Sequence, residues 1–417
     1  MGGDRIGHNA GNNYEGQQPM TKAVPEADPD VQKTVRTFAL SSFFNDLGSD
    51  IIYPIWPLFL TTVLKANMAA VGFLDGLGDA LVSLSQAVSG YLSDRLKKRK
   101  VFIWTGYLCG SIARVGYALS STWPQAVPFR VLDRAGKIRG APRDAMLADA
   151  SCRSNRGGHF GIMRAMDNLG AVAGILVCIA LVNVLGYRLL FALAAIPSLV
   201  SVILILTLIK ERPTAGVKVF KGLTLKDINK NFRLFFMLSG LFALGTFSYS
   251  FLLIYAQKFG VKLSFLGITL TGIKTIPVLY LLFTAVAALM SVPFGRLSDR
   301  IGRKNVLLLS YLFWGLVCLG VILARKDWLL VAVFILYGLH RAALEPVQKT
   351  FVCELSPSVF RASSLGTFQM VIGLSALPAS LLAGFLWDKV GRQAPFFISL
   401  GLTVVSGILL LFVREKE

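Results

Sequence analysis

Apolar stretches long enough to cross a bilayer recur along the whole chain, as in "LGAVAGILVCIALVNVL" (169–185), "FALAAIPSLVSVILILTLI" (191–209) and "FFISLGLTVVSGILLLFV" (396–413). A helix of about 20 such residues matches a hydrocarbon core of roughly 30 Å, where every backbone polar group must be satisfied within its own segment. A chain built this way is an all-α polytopic membrane protein. With 54% hydrophobic against 16% charged residues, a soluble globular class is excluded.

Twelve transmembrane helices are expected near 36–62, 69–92, 101–120, 125–148, 160–184, 187–209, 233–257, 272–294, 305–323, 328–352, 362–386 and 394–413. The net charge of +20 gathers in linkers between them, as in "RLKKRK" (95–100), "RIGRK" (300–304) and 210–233, so it marks topology and not a nucleic-acid partner. By the positive-inside bias, the linkers 93–100, 149–159, 210–232, 295–304 and 353–361 and both termini are cytoplasmic. The expected plan is a disordered cytoplasmic tail (1–34), an N-terminal six-helix bundle (35–209), a cytoplasmic linker (210–232) and a C-terminal six-helix bundle (233–417), in the cell membrane. The five cysteines are scattered and form no disulfide framework or metal spacing. No nucleophile with a base, no metal motif and no phosphate-binding loop is present, so neither an enzyme nor a cofactor is expected.

Shifted on itself by 205 residues, the chain brings "GYLSDRLKKRK" (90–100) onto "GRLSDRIGRKN" (295–305), and Asp149 onto Glu354. One offset held over about 70 residues indicates internal duplication. Two such halves are the plan of many secondary transporters, with the substrate site between them.

The second copy carries Gly295, Leu297, Asp299, Arg300, Gly302, Arg303 and Lys304, the G-x-L-x-D-R-x-G-R-[KR] signature; the first keeps Gly90, Leu92, Asp94 and Arg95 but has Lys97 for the second glycine. On these residues the chain resembles the major facilitator superfamily over essentially its full length after residue 35. The resemblance implies two pseudo-symmetric six-helix bundles with a cavity lined by the first, fourth, seventh and tenth helices. It also implies gating: Asp94 and Arg95, with Asp299 and Arg300 as counterpart, latch the cytoplasmic ends in the outward-facing state. The other reading is that these charges cap helices and fix topology. Asp149, Glu354 and the pair Arg164 and Asp167 complete the gate candidates.

The stretch "RVLDRAGKIRGAPRDAMLAD" (130–149) is the most heavily charged, and the repeat makes it the fourth helix, not a loop. At about 100° per residue, Arg130, Asp133, Arg134, Lys137 and Asp144 share roughly a 100° arc, with Arg139 and Arg143 opposite. Such charges inside a membrane face a protein interior or a watery cavity and pair with one another. Arg130, Arg134 and Lys137 are therefore candidates either to hold a substrate anion or to neutralise neighbouring aspartates.

In the first helix Asp46 and Asp50 stand one turn apart near mid-membrane. Burial favours a neutral carboxyl and a nearby base favours the charged one. That balance suits proton coupling, for which Asp46, Asp50 and Asp133 are the candidates, a static ion pair being the alternative. Gly161, Gly170 and Gly174 resemble the antiporter motif of drug:proton exporters in the superfamily, although Ile175 replaces its proline; close helix packing explains the spacing as well. In the C-terminal half Tyr249, Tyr255, His340, Arg341 and Glu345 are candidate substrate contacts. The expected function is secondary active transport of a small organic solute by alternating access, as an exporter by proton antiport, in a monomer. The alternative is an uncoupled facilitator or importer of an organic anion or nutrient.

Overall fold

Helix α1 (Pro29–Ile52) opens on a proline, tolerated where a missing N–H has no intrahelical partner anyway. It starts before residue 36 because its first turns, with Asp30, Lys33 and Arg36 exposed, project beyond the apolar part of the span. The structure, a computed structural model, describes residues 29–96, 98–151, 156–211, 230–265, 268–356 and 361–415, without the side chains of 29, 94, 156–157, 264–265, 268–269 and 361–363. The tail 1–28 and most of the 210–232 linker lie outside the described residues.

After α1 the chain continues as α2 (Met68–Leu96), α3 (Arg99–Leu119) and α4, which is split into Trp123–Ala135 and Gly140–Ala150 by a 3-10 turn, Gly136–Arg139. The long element Arg156–Leu208 holds α5 and α6, separated at Gly186, whose φ of 68° is open to glycine and strained for other residues. The second half contains α7 (Lys230–Gly245 and Ser250–Phe259), α8 (Thr275–Ile301), α9 (Arg303–Ile322), α10 (Asp327–Leu355), α11 (Arg361–Lys389) and α12 (Ala394–Leu411). Between α7 and α8, β1 (Leu263–Phe265) pairs antiparallel with β2 (Ile268–Leu270), a small departure from an all-helical chain.

Eight described stretches are apolar and long enough to span a bilayer, and one of them, Gly158–Leu208, is long enough for two crossings. The helices that miss this mark, α1, α3 and α4, belong to the N-terminal half and carry most of its intramembrane charges. Those helices need protein around them. Arg114 of α3 supplies part of it, donating to Ala194 O (2.9 Å), Asn45 O (3.2 Å) and Ser49 Oγ (2.8 Å) and so tying α1 to α6.

The duplication reappears in the contacts. Ser93 Oγ donates to Gly90 O at 3.2 Å, and Ser298 Oγ to Gly295 O at 2.7 Å. Lys100 Nζ caps Leu206 O at 2.9 Å, and Lys304 Nζ caps Leu411 O at 2.7 Å. Glu211 accepts from the backbone N–H of Arg99 and Lys100, as Glu415 does from Lys304. These contacts gather residues 90–100, 206–211, 295–304 and 411–415 at one end of the bundle, called here the basic side.

Candidate functional site

At the end opposite the basic side the two halves close on each other. Asp388 of α11 accepts hydrogen bonds from Met68 N (3.1 Å) and Ala69 N (2.9 Å), so a carboxylate of one half caps the first helical turn of α2 in the other. Below it α2 and α11 run in backbone contact: a Cβ on Gly76 would lie 2.6 Å from Leu377 Cα, and one on Gly72 2.0 Å from Ser380 O. Only glycine permits that approach.

Further in, Asp75 of α2 joins the halves. Its Oδ1 accepts from Trp56 Nε1 (3.0 Å) and Arg130 Nη2 (2.8 Å), and its Oδ2 from Ser248 Oγ (2.8 Å) and Ser250 Oγ (2.5 Å). The serines reach it because α7 unwinds between Gly245 and Ser250. Tyr249 Oη donates to Tyr53 O at 3.4 Å, and Tyr280 Oη to Asp50 Oδ1 at 3.4 Å, across the same boundary.

Beneath this ceiling lies a cavity of about 370 Å³. Its charged wall consists of Asp79 from α2 and Arg341 and Glu345 from α10; Phe242, Phe247, Tyr249 and Tyr337 supply aromatic surface, and Ser239, Thr246 and Gln348 neutral polar groups. Among the described residues, the basic-side ion pairs include Arg99 with Asp149 at 2.5 Å, and Arg303 with Asp299 at 2.6 Å and Glu354 at 3.1 Å, each within a single half.

Comparison with known proteins matches residues 38–278 and 234–417 to the Major Facilitator Superfamily. The chain belongs to this superfamily. Its relatives include an MFS-type transporter of Methanocaldococcus jannaschii, 37% identical over 93% of this chain and 96% of the relative. A multidrug resistance protein, MdtG of Citrobacter koseri, is 23% identical over 88% of this chain and 92% of its own length. The nucleoside transporter NupG superposes with a TM-score of 0.74 at 17% identity, over 92% of this chain and all of that one. A peptide transporter POT bound to sulfate gives 0.73 at 17% identity, over 91% and 94%. These two show the fold alone. The protein is thus a multi-pass membrane transporter of the major facilitator superfamily and not an enzyme.

Within that superfamily scheme the expected site residues sort by location. Tyr249, Arg341 and Glu345 line the cavity, and the last two form an i,i+4 ion pair. Arg130 does not line it: its side chain is 3% exposed, on Asp75 and over the Trp56 ring at 4.7 Å. Arg134 lies 3.6 Å from Asp133, with its guanidinium 5.1 Å over the Tyr53 ring. Lys137 has no hydrogen bond or ion pair among the described residues, though its charge reaches Asp50. Asp46 accepts from Asn45 Nδ2 at 2.8 Å. His340 turns away from the cavity to Ser310, with Nδ1 2.9 Å from its Oγ, and Tyr255 Oη donates to Val321 O at 3.1 Å.

The uniform helical wheel drawn for the fourth helix is corrected at Gly136–Arg139, where the 3-10 turn alters the phase of everything after it. Gly106 and Gly136 pack backbone to backbone there. Arg139 folds back onto Gly136 O at 2.8 Å and over Tyr107 at 4.9 Å, while Arg143 reaches Ser42 Oγ of α1 at 2.6 Å and Asp144 at 3.1 Å. Among the gate candidates, Arg164 sits 3.8 Å from Asp167. Arg95 and Arg300 are exposed, and the Asp94 side chain lies outside the described residues. Gly302, at φ 95°, makes the tight turn of the complete signature; Lys97, its counterpart, is also outside the description. Gly170 and Gly174 pack on the α1 backbone at Phe43 and Leu47, whereas Gly161 faces open space.

Two residues that matter escaped the sequence reading: Asp75 and Asp79. They stand four apart in "FLDGLGDALVSL" (73–84), the same spacing as Asp46 and Asp50, and that spacing was the signal available.

Proposed function

We propose that this protein is a secondary transporter that carries a small organic solute by alternating access, exporting it in exchange for protons. The observation that carries the reading is the cavity between the halves, closed at one end by Asp388, Asp75 and the α2–α11 contact, while Arg99–Asp149 and Arg303–Glu354 on the basic side each lie within one half. Positive-inside topology makes the basic side cytoplasmic and this an inward-facing state. Asp46, Asp50 and Asp133 are the proposed proton carriers. The bond from Tyr280 to Asp50 supports a role for the latter, because it ties a titratable group to contact between the halves. In the outward-facing state the proposed gate residues Asp94, Arg95, Asp149, Arg164, Asp167, Asp299, Arg300 and Glu354 make contacts between halves. The unit is a monomer.

Flux in proteoliposomes with and without an imposed pH gradient tests this. Gradient-driven accumulation that fails in Asp50→Asn is expected. Flux indifferent to the gradient indicates the uncoupled facilitator instead.

A further inference from the structure

The cavity has two carboxylates and one guanidinium on its wall, and the arginines nearby are already engaged, while Lys137, which makes no ion pair among the described residues, does not line the cavity. Arg341 pairs with Glu345, Arg130 with Asp75, and Arg134 lies beside Asp133 and Tyr53. Asp79 differs from them. It lies in the middle of the bundle yet is solvent-exposed, because it faces the cavity, and it makes no hydrogen bond or ion pair among the described residues. The nearest bases act on it only through space, Arg134 first and Arg341 from the other half.

A carboxylate left open in an aromatic cavity calls for a particular counter-charge. A small, strongly hydrated cation would lose its water against Phe242, Phe247 and Tyr337 and regain little. A diffuse organic cation loses less, and the aromatic surface that lines the cavity attracts it. An anion meets the opposite situation: Arg130 is buried on Asp75, and at Arg341 an anion would share one guanidinium with the negative charge of Glu345. A volume of about 370 Å³ also lies within the usual range for a small-molecule site.

We propose, resting on the transporter reading above, that the substrate is an organic monocation with an aromatic or apolar body, its charge held by Asp79 and its body on Phe242, Tyr249 and Tyr337. Asp79 comes from the N-terminal half and the aromatic residues from the C-terminal half. Such a ligand therefore bridges the two halves and is released when they part.

The test is equilibrium binding of radiolabelled 1-methyl-4-phenylpyridinium to the full chain in lipid nanodiscs, with empty nanodiscs as blank. The expected result is saturable binding, displaced by benzyltrimethylammonium and not by 4-phenylbenzoate or neutral biphenyl. Asp79→Asn is expected to weaken it at least about tenfold, and Asp79→Glu by less than about threefold. Absence of saturable binding, equal competition by 4-phenylbenzoate, or undiminished affinity in Asp79→Asn overturns the proposal. The competition on the unmodified protein decides the matter even if a variant does not fold. Binding without uptake into proteoliposomes leaves the substrate class standing and sinks the transporter reading. Flux of another solute without cation binding does the reverse.

Discussion

Arg130 and Asp75 meet at 2.8 Å with side chains 3% and 4% exposed, and the second oxygen of the same aspartate is held by two serines of the opposite half. One carboxylate thus neutralises a buried base within its own bundle and fastens that bundle to the other.

Removing one member of this pair leaves an uncompensated charge in a low-dielectric interior. Arg130→Ala and Asp75→Ala should each cost about 3–5 kcal/mol of stability, while the double replacement Arg130→Met with Asp75→Leu recovers much of it. Chemical unfolding of the purified protein measures both. A loss below about 1 kcal/mol in each single variant would falsify the assignment of this pair as a buried structural link.

Ser248→Ala and Ser250→Ala leave the ion pair intact and cut only its reach into α7. A hydrogen bond to a charged group contributes about 1.5–3 kcal/mol, so each change should move the population at least about tenfold away from the closed far side. Spin labels at Lys65→Cys and Val390→Cys, both exposed on that side, should report a longer distance. An unchanged distance distribution in both variants contradicts the prediction.

Gly76→Val tests closure by shape alone. Its Cβ would overlap Leu377 Cα, so α2 and α11 cannot meet as they do here. Transport should stop, and the same pair of labels should show the far side held open. Full flux through this variant rules out the α2–α11 contact as an obligatory stage of the cycle.

The basic-side pairs should behave differently. Glu354 is 45% exposed, on an Arg303 that Asp299 also holds, and an ion pair in such a setting contributes about 0–1 kcal/mol; Asp149 is 61% exposed, but the Arg99 side chain it pairs with is only 5% exposed. Glu354→Gln should barely shift the unfolding midpoint, whereas Asp149→Asn, which takes this partner from a buried guanidinium, should lower it; both should slow flux if these groups serve the gate. A large stability loss with normal flux would make them structural instead.

What the sequence disclosed and what it hid follow from the range of each interaction. Span number, the split into halves and the repeat depend on local hydropathy and one constant offset, both visible in a string. The fourth helix was placed correctly because its duplicate is apolar, but its wheel failed at Gly136–Arg139, where the turn depends on Gly106 of a neighbouring helix. Asp75 and Asp79 are legible in principle by the rule applied to Asp46 and Asp50, but the denser charges of 130–149 outweigh them in the string. Nothing in the sequence shows that Ser248 and Ser250 meet Asp75, since that contact arises only once α7 unwinds between halves. His340 is similar: a polar residue on a cavity-lining helix can still point at the helix behind it.

The staples from Lys100 to Leu206 and from Lys304 to Leu411 bind the last helix of each half to its own third helix. Each half is thereby fastened to itself before it meets the other, by bonds whose two ends lie within residues 100–206 and 304–411. A polypeptide nicked between residues 211 and 230 would keep both staples whole, each piece holding its own third and last helices together.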